Sequence, residues 1–161
     1  MEHTEITNHT LVMLVDDSSI DNFVNQKMIE RYGFSENVIT YTRARKALEY
    51  LFDLDSQHDI LHLIPSVIFL DMVMPVIDGL RFLEEYEKLS PKIKSRCRIV
   101  ILTSSVNPED TAKCEQNKNV LAYLSKPMLK HDLEHVDQLI KQSELKYKEL
   151  VFESHYYAKA I

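Results

Sequence analysis

Five polar side chains in this sequence stand where short apolar runs end. Asp16 and Asp17 follow Leu11–Val15, Asp71 follows Val67–Leu70, Thr103 follows Arg98–Leu102, and Lys126 comes two residues after Val120–Leu124. Carboxylates are hard oxygen donors suited to a divalent cation, and a carboxylate can also act as a nucleophile. A lysine ammonium is a compact cation on a flexible stem that can pair with such acids. Two carboxylates about 4 Å apart repel by about 4 kcal/mol at an effective dielectric of about 20. Three acids gathered beside one lysine would therefore be strained without a cation, a poor arrangement for stability alone. An aspartate at a strand end can also be only a turn former, so the elements must decide.

Short, continuous apolar runs rich in β-branched residues suit strands buried on both faces of a parallel sheet. Leu11–Val15, Val67–Leu70, Arg98–Leu102 and Val120–Leu124 read this way, with Asn37–Thr42 as a further short strand. Met74-Pro75 stops the third run, because proline cannot continue a central strand. Between the runs the apolar residues recur at helical spacing. Ile20, Phe23, Val24, Met28 and Ile29 mark a first core face after Ser18 and Ser19, with Gly33 placed to end the helix. Ala47, Leu48, Leu51 and Phe52 mark a second, and Leu80, Phe82, Leu83, Tyr86 and Leu89 a third, stopped by Pro91. Asn107-Pro108-Glu109-Asp110 is a helix start, and Leu129, Leu133, Val136, Leu139 and Ile140 mark the last core helix. Five strands alternating with five helices predict an α/β fold with helices on both faces of a parallel sheet. All strand carboxyl ends then share one edge, which brings the five polar residues together.

The chain's 161 residues suit one domain. Residues 1–10 are expected to fray as a flexible N-terminus, 11–140 to form the domain, and 141–161 to be a C-terminal helical extension. That extension carries Tyr147, Leu150, Val151, Phe152, Tyr156 and Tyr157, apolar enough to need cover from a second copy, a partner or the domain itself. A formal net charge of −6 argues against a nucleic-acid surface. No run is long enough for a membrane span or a signal peptide. Cys97 and Cys114 have no close pair spacing, which suits a reducing, cytoplasmic setting. With Gly33 and Gly79 the only glycines, neither a dinucleotide fingerprint nor a phosphate-cradling glycine loop can be built. His131 and His135 stand four apart on a helix without a third ligand in view, and read as exposed residues.

The pattern resembles the receiver domain of two-component response regulators from Leu11 to about Ile140. The residues that carry it are Val15-Asp16-Asp17-Ser18, Leu70-Asp71-Met72-Val73-Met74-Pro75 with Asp78-Gly79, Leu102-Thr103-Ser104, and Tyr123-Leu124-Ser125-Lys126-Pro127. The resemblance implies a flavodoxin-like, doubly wound, five-stranded parallel sheet of order 2-1-3-4-5. It also implies that Asp71 is the phosphoacceptor. Mg²⁺, with Mn²⁺ as a substitute, would be held by Asp17, Asp71 and the Val73 backbone carbonyl, and by Asp16 through a water. Lys126 would pair with Asp71 and then with the phosphoryl group. Thr103 and Tyr123 would act as the conformational switch beside a small Ser104. The implied partners are a sensor histidine kinase or histidine phosphotransfer protein, and a downstream protein target on the face of the fourth helix, fifth strand and fifth helix.

Residues 127–161 leave no room for a separate output domain, so a single-domain signalling protein rather than an enzyme is expected. An aspartate-dependent phosphohydrolase with a similar core is the alternative. Its motif needs a second acid two residues after the nucleophile, where this chain has Val73. In a flavodoxin the loop after the first strand would not open with two acids that repel a flavin phosphate.

Overall fold

The structure, a computed structural model, describes residues 6–59, 61–104 and 108–158. The apolar runs form β1 (Val12–Val15), β2 (Val38–Tyr41), β3 (Val67–Leu70), β4 (Arg98–Thr103) and β5 (Val120–Ser125). All neighbours pair in parallel, in the order β2-β1-β3-β4-β5. This is the doubly wound order that the resemblance implies. β1 and β3 are buried at every residue, as expected of central strands covered on both faces.

The two-residue period of the strands splits the core into two layers. Met13, Val15, Ile68, Leu70, Ile99 and Ile101 face the helices α2 (Ala44–Ser56) and α3 (Gly79–Tyr86). Val12, Leu14, Val67, Phe69, Val100 and Leu102 face α1 (Ser19–Arg31) and α6 (Lys130–Ala158). A one-turn helix α4 (Pro91–Lys94) precedes β4, and α5 (Pro108–Glu115) lies between β4 and β5.

Several expectations need correction. There are six helices among the described residues, not five, and a 3₁₀ turn at Leu61–Leu63. Pro91 does not simply stop α3; it opens α4 at the first helical position. So short a helix persists because its residues close the end of α2. Ser90 donates from its amide N–H to Asp55 at 2.9 Å, and Lys92 Nζ reaches the carbonyls of Leu54, Asp55 and Gln57 at 2.8–3.0 Å.

The face assigned to α1 is also wrong. Asn22, Asn25 and Ile29 are buried, while Ile20, Phe23 and Val24 are exposed by 72%, 59% and 45%. Asn22 explains the rotation: its Nδ2 donates to the carbonyls of Asp16 at 2.9 Å and Tyr41 at 3.2 Å, at the end of the sheet. Phe52 and Leu129 are likewise more exposed than a core position. The N-terminal stretch is held rather than frayed where it is described. His9 bridges to Ser35, is buried, and lies 3.1 Å from Asp137 of α6. Asn107, the expected cap of α5, and the side chains of Tyr147, Leu150, Val151, Phe152, Tyr156 and Tyr157 lie outside the described residues.

Candidate functional site

Parallel register delivers the expected convergence. Asp16 follows the last residue of β1, and its amide N–H donates to the Tyr41 carbonyl of β2 at 3.1 Å. The Asp71 N–H donates to the Val15 carbonyl at 2.9 Å, which sets this residue beside Asp16. Thr103, fully buried, is the last residue of β4, and its carbonyl accepts from the Lys126 N–H at 2.9 Å. These backbone hydrogen bonds tie the ends of β1, β2 and β3 to one another, and those of β4 and β5, before any side chain is considered. The Lys126–Pro127 peptide is cis.

Asp16, Asp17 and Asp71 each offer a carboxylate oxygen, all within 4.8 Å of one another. Asp16 and Asp71 are buried and Asp17 is exposed. Asp16 is oriented by the Ser18 N–H, which donates to its Oδ1 at 2.9 Å. Hard oxygens at this spacing, open to solvent on the Asp17 side, fit a divalent cation that keeps several waters.

Lys126 completes the site. Its ammonium contacts Asp16 Oδ2 most closely, lies 2.9 Å from Asp21 Oδ2 and 3.5 Å from Asp71 Oδ2. Burial disfavours its charge, but hydrogen bonds to Asp16 and Asp21 and the field of Asp16 and Asp71 outweigh that and raise its pKa. Burial pushes the Asp71 carboxyl above the usual range; Lys126 opposes this, Asp16 reinforces it, and the Val73 N–H at 3.4 Å opposes it.

The loop after β3 is tightly drawn. Gly79 N–H donates to the Met72 carbonyl at 2.9 Å, and Asp78 caps α3 by accepting from the Arg81 N–H at 2.8 Å. Ile77 N–H donates to the Pro75 carbonyl at 2.8 Å across Val76, whose φ is +71°. A β-branched residue in that region is strained. Val73 and Val76 are exposed by 63% and 91% on this loop. Ser104 is exposed past the end of β4, and Tyr123 is half-buried on β5, opposite Ile101 in register. Asp21 is the one participant that sequence reasoning missed. It lies in the first turn of α1, where an acid is favourable to the helix dipole, and only the fold shows it facing Lys126.

A doubly wound sheet with three acids and a lysine at its switch edge defines a class of phosphoryl-accepting signalling domains. The response regulator receiver domain family matches residues 12–137, and the chain belongs to that family. A two-component response regulator of Oryza sativa subsp. japonica is 30% identical over 122 residues, covering 76% of this chain and 90% of that protein. Some relatives are much longer. The chain spans 28% of a Rhodospirillum rubrum protein-glutamate methylesterase/protein-glutamine glutaminase, at 34% identity over 70% of this chain. It spans 11% of a Dictyostelium discoideum hybrid signal transduction histidine kinase, at 25% identity over 86% of this chain. Among solved structures, a two-component response regulator from Cytophaga hutchinsonii superposes with a TM-score of 0.75 at 27% identity, covering 84% of this chain and 99% of that one. The Mn²⁺-bound form of response regulator Rcp1 gives 0.60 at 25% identity, covering 80% and 90%. Receiver domains pair with histidine kinases and phosphotransfer proteins in two-component signalling. No helix among the described residues is long and apolar enough to cross a membrane.

Proposed function

We propose that this chain acts as a response regulator, in the cytoplasm, in which Asp71 accepts a phosphoryl group from a phosphohistidine. The donor would be a sensor histidine kinase or a histidine phosphotransfer protein. The observation that carries the reading is the meeting of Asp16, Asp17 and Asp71 oxygens within 4.8 Å, with Lys126 on the same site. In the transfer, an Asp71 carboxylate oxygen forms the new O–P bond as the N–P bond of the phosphohistidine breaks. The electron pair stays on the imidazole nitrogen. Little covalent work is asked of the protein; positioning and charge neutralisation supply most of the effect.

Asp16, Asp17, Asp71 and the Val73 carbonyl would hold Mg²⁺, or Mn²⁺ in its place. When bound, the ion would neutralise charge developing on the phosphoryl oxygens. The likeness to a Mn²⁺-bound regulator supports a divalent ion, and the spacing of the three carboxylates supports this donor set. Lys126 would then serve the phosphoryl oxygens, and the buried Thr103 hydroxyl would hydrogen-bond them beside the small Ser104. Tyr123 would turn into the space released, so that phosphorylation biases a two-state equilibrium. The face of α5, β5 and α6 would be reshaped for a downstream protein; these are the fourth helix, fifth strand and fifth helix of the sequence reading. The exposed Ile20, Phe23 and Val24 of α1, the helix whose Asp21 meets Lys126, would offer a donor protein an apolar rim.

Incubation with acetyl phosphate and Mg²⁺, followed by intact mass, tests the reading. A single adduct of about 80 Da, absent from Asp71→Ala, is expected. No adduct, or one that survives Asp71→Ala, overturns it. Rapid multiple turnover of an unrelated phosphoester would favour the phosphohydrolase. In Thr103→Ala the adduct should form while partner affinity no longer responds to it.

A further inference from the structure

Lys126 is shared unequally among three acids. Its ammonium has three donor hydrogens. Asp16 and Asp21 take the closest contacts, Asp21 Oδ2 at 2.9 Å, while Asp71 Oδ2 stands back at 3.5 Å. Asp21 is not among the acids grouped at the cation site. It sits in the first turn of α1, where its amide N–H donates to the capping Ser18 Oγ at 3.1 Å, so the backbone fixes where its side chain can reach. Its carboxylate is 42% exposed, against 13% for the Lys126 side chain. The lysine is thus held between Asp16 and the first turn of α1, with Asp71 the most distant of the three acids.

A phosphoryl group on Asp71 would bring three acceptor oxygens and a charge of about −1.5 to −2. Asp16 and Asp21 occupy two of the three donor hydrogens, so Lys126 can give the phosphoryl oxygens a second hydrogen bond only by releasing one of these acids. Asp16 faces a similar demand, but it also belongs to the cation cluster, so its carboxylate is engaged whether or not Lys126 leaves. Asp21 has no such second role among the described contacts of the cluster. We propose that Asp21 is a positioning residue that competes with the phosphoryl group for Lys126 and so limits how strongly the phosphorylated state is stabilised. The inference rests on the phosphoacceptor reading of Asp71 and adds to it a residue that acts only through Lys126.

The full chain, saturated with Mg²⁺ and titrated with beryllofluoride as the phosphoryl analogue, tests this. Asp21→Asn should bind the analogue about two- to fivefold more tightly than the wild type, the range that a half-exposed ion pair can supply. Asp21→Glu, which restores the carboxylate, should stay within about twofold of the wild type on the same scale. In a Lys126→Met background, adding Asp21→Asn should change nothing, because the effect runs through the lysine. A merely structural Asp21 would move the melting temperature and leave these ratios alone. Unchanged or weaker binding in Asp21→Asn overturns the inference, as does an equal gain in the Lys126→Met background. Failure of the wild type to bind the analogue, or equal binding by Asp71→Asn, overturns the phosphoacceptor reading and the inference with it.

Discussion

A Cβ at position 79 would lie 2.5 Å from the Met72 sulfur, 2.9 Å from the Met72 Cα and 3.1 Å from the Asp71 carbonyl. The sulfur could swing away, but the two backbone atoms cannot move without carrying Asp71 with them. Gly79→Ala should therefore cost about 1–3 kcal/mol, as overpacking does, and should slow labelling of Asp71 by acetyl phosphate. Denaturant unfolding and adduct kinetics check both; a loss of stability with normal kinetics would mean that the loop yields on its outer side. Asp71 itself carries a different expectation. Its carboxyl is raised by burial and by Asp16, so its charged form weighs on the fold at neutral pH. Asp71→Asn should raise the melting temperature measured in a chelator, by about 2–4 °C for each kcal/mol relieved, while abolishing the adduct. A lower melting temperature would show that Lys126 more than offsets the crowding. The acids and the lysine were legible in the sequence because each closes an apolar run. The sharing of Lys126 was not, because Asp21 lies far from it in the chain and the pairing exists only once α1 docks on β1 and β2 and Lys126 reaches across from the end of β5.

Elements built from continuous apolar runs read directly, because a central parallel strand has no exposed face to confuse the pattern. β1 and β3 fall within a residue of their expected spans. Helices are harder, since their period shows which residues align but not which way the stripe faces. In α1 Asn22 and Asn25 turn inward, Asn22 to serve backbone carbonyls at the site, and Ile20, Phe23 and Val24 turn out. The signal for α4 was also present, a serine followed by proline, yet it reads equally as the end of α3. The exposed stripe of α1 has a consequence for transfer. Phe23 is 59% exposed with Lys27 Nζ 5.7 Å from its ring centroid, so Phe23→Asp removes apolar rim without opening the core. Phosphotransfer from a histidine-phosphorylated donor protein should fall several-fold, about what one truncated interface aromatic of 1–2 kcal/mol costs. Labelling by acetyl phosphate should be unchanged. An equal loss with both donors would place the effect in Asp71 chemistry instead.

Across the whole molecule the reactive edge lies at the carboxyl ends of the strands, and the opposite edge is closed by the N-terminal stretch. There His9 donates from Nε2 to Asp137 Oδ1 at 3.1 Å, since a carboxylate can only accept. Lys141 Nζ holds the other Asp137 oxygen at 2.7 Å. The imidazole lies 4.5 Å from the Phe34 ring, and Phe34 in turn packs against Phe69 of β3. This tie joins the start of the chain to α6 through the core. Burial lowers the His9 pKa; Asp137 and Glu144 oppose that and Lys141 adds to it. The folded chain therefore resists a proton that the unfolded chain takes up near pH 6.5. The stability from this tie should be present above that value and decline as pH falls below it, until the folded imidazole is protonated as well. His9→Asn should lose about 1–3 kcal/mol at pH 7.5, where the hydrogen bond and ring contact are intact. The gap between wild type and variant should narrow between pH 7 and pH 5. Adduct formation on Asp71, at the far edge of the sheet, should not change at pH 7.5. Denaturant unfolding across that range decides it: a gap that widens on acidification would mean that the attraction of Asp137 for a charged imidazole exceeds the cost of burying it, reversing the sign assigned to His9.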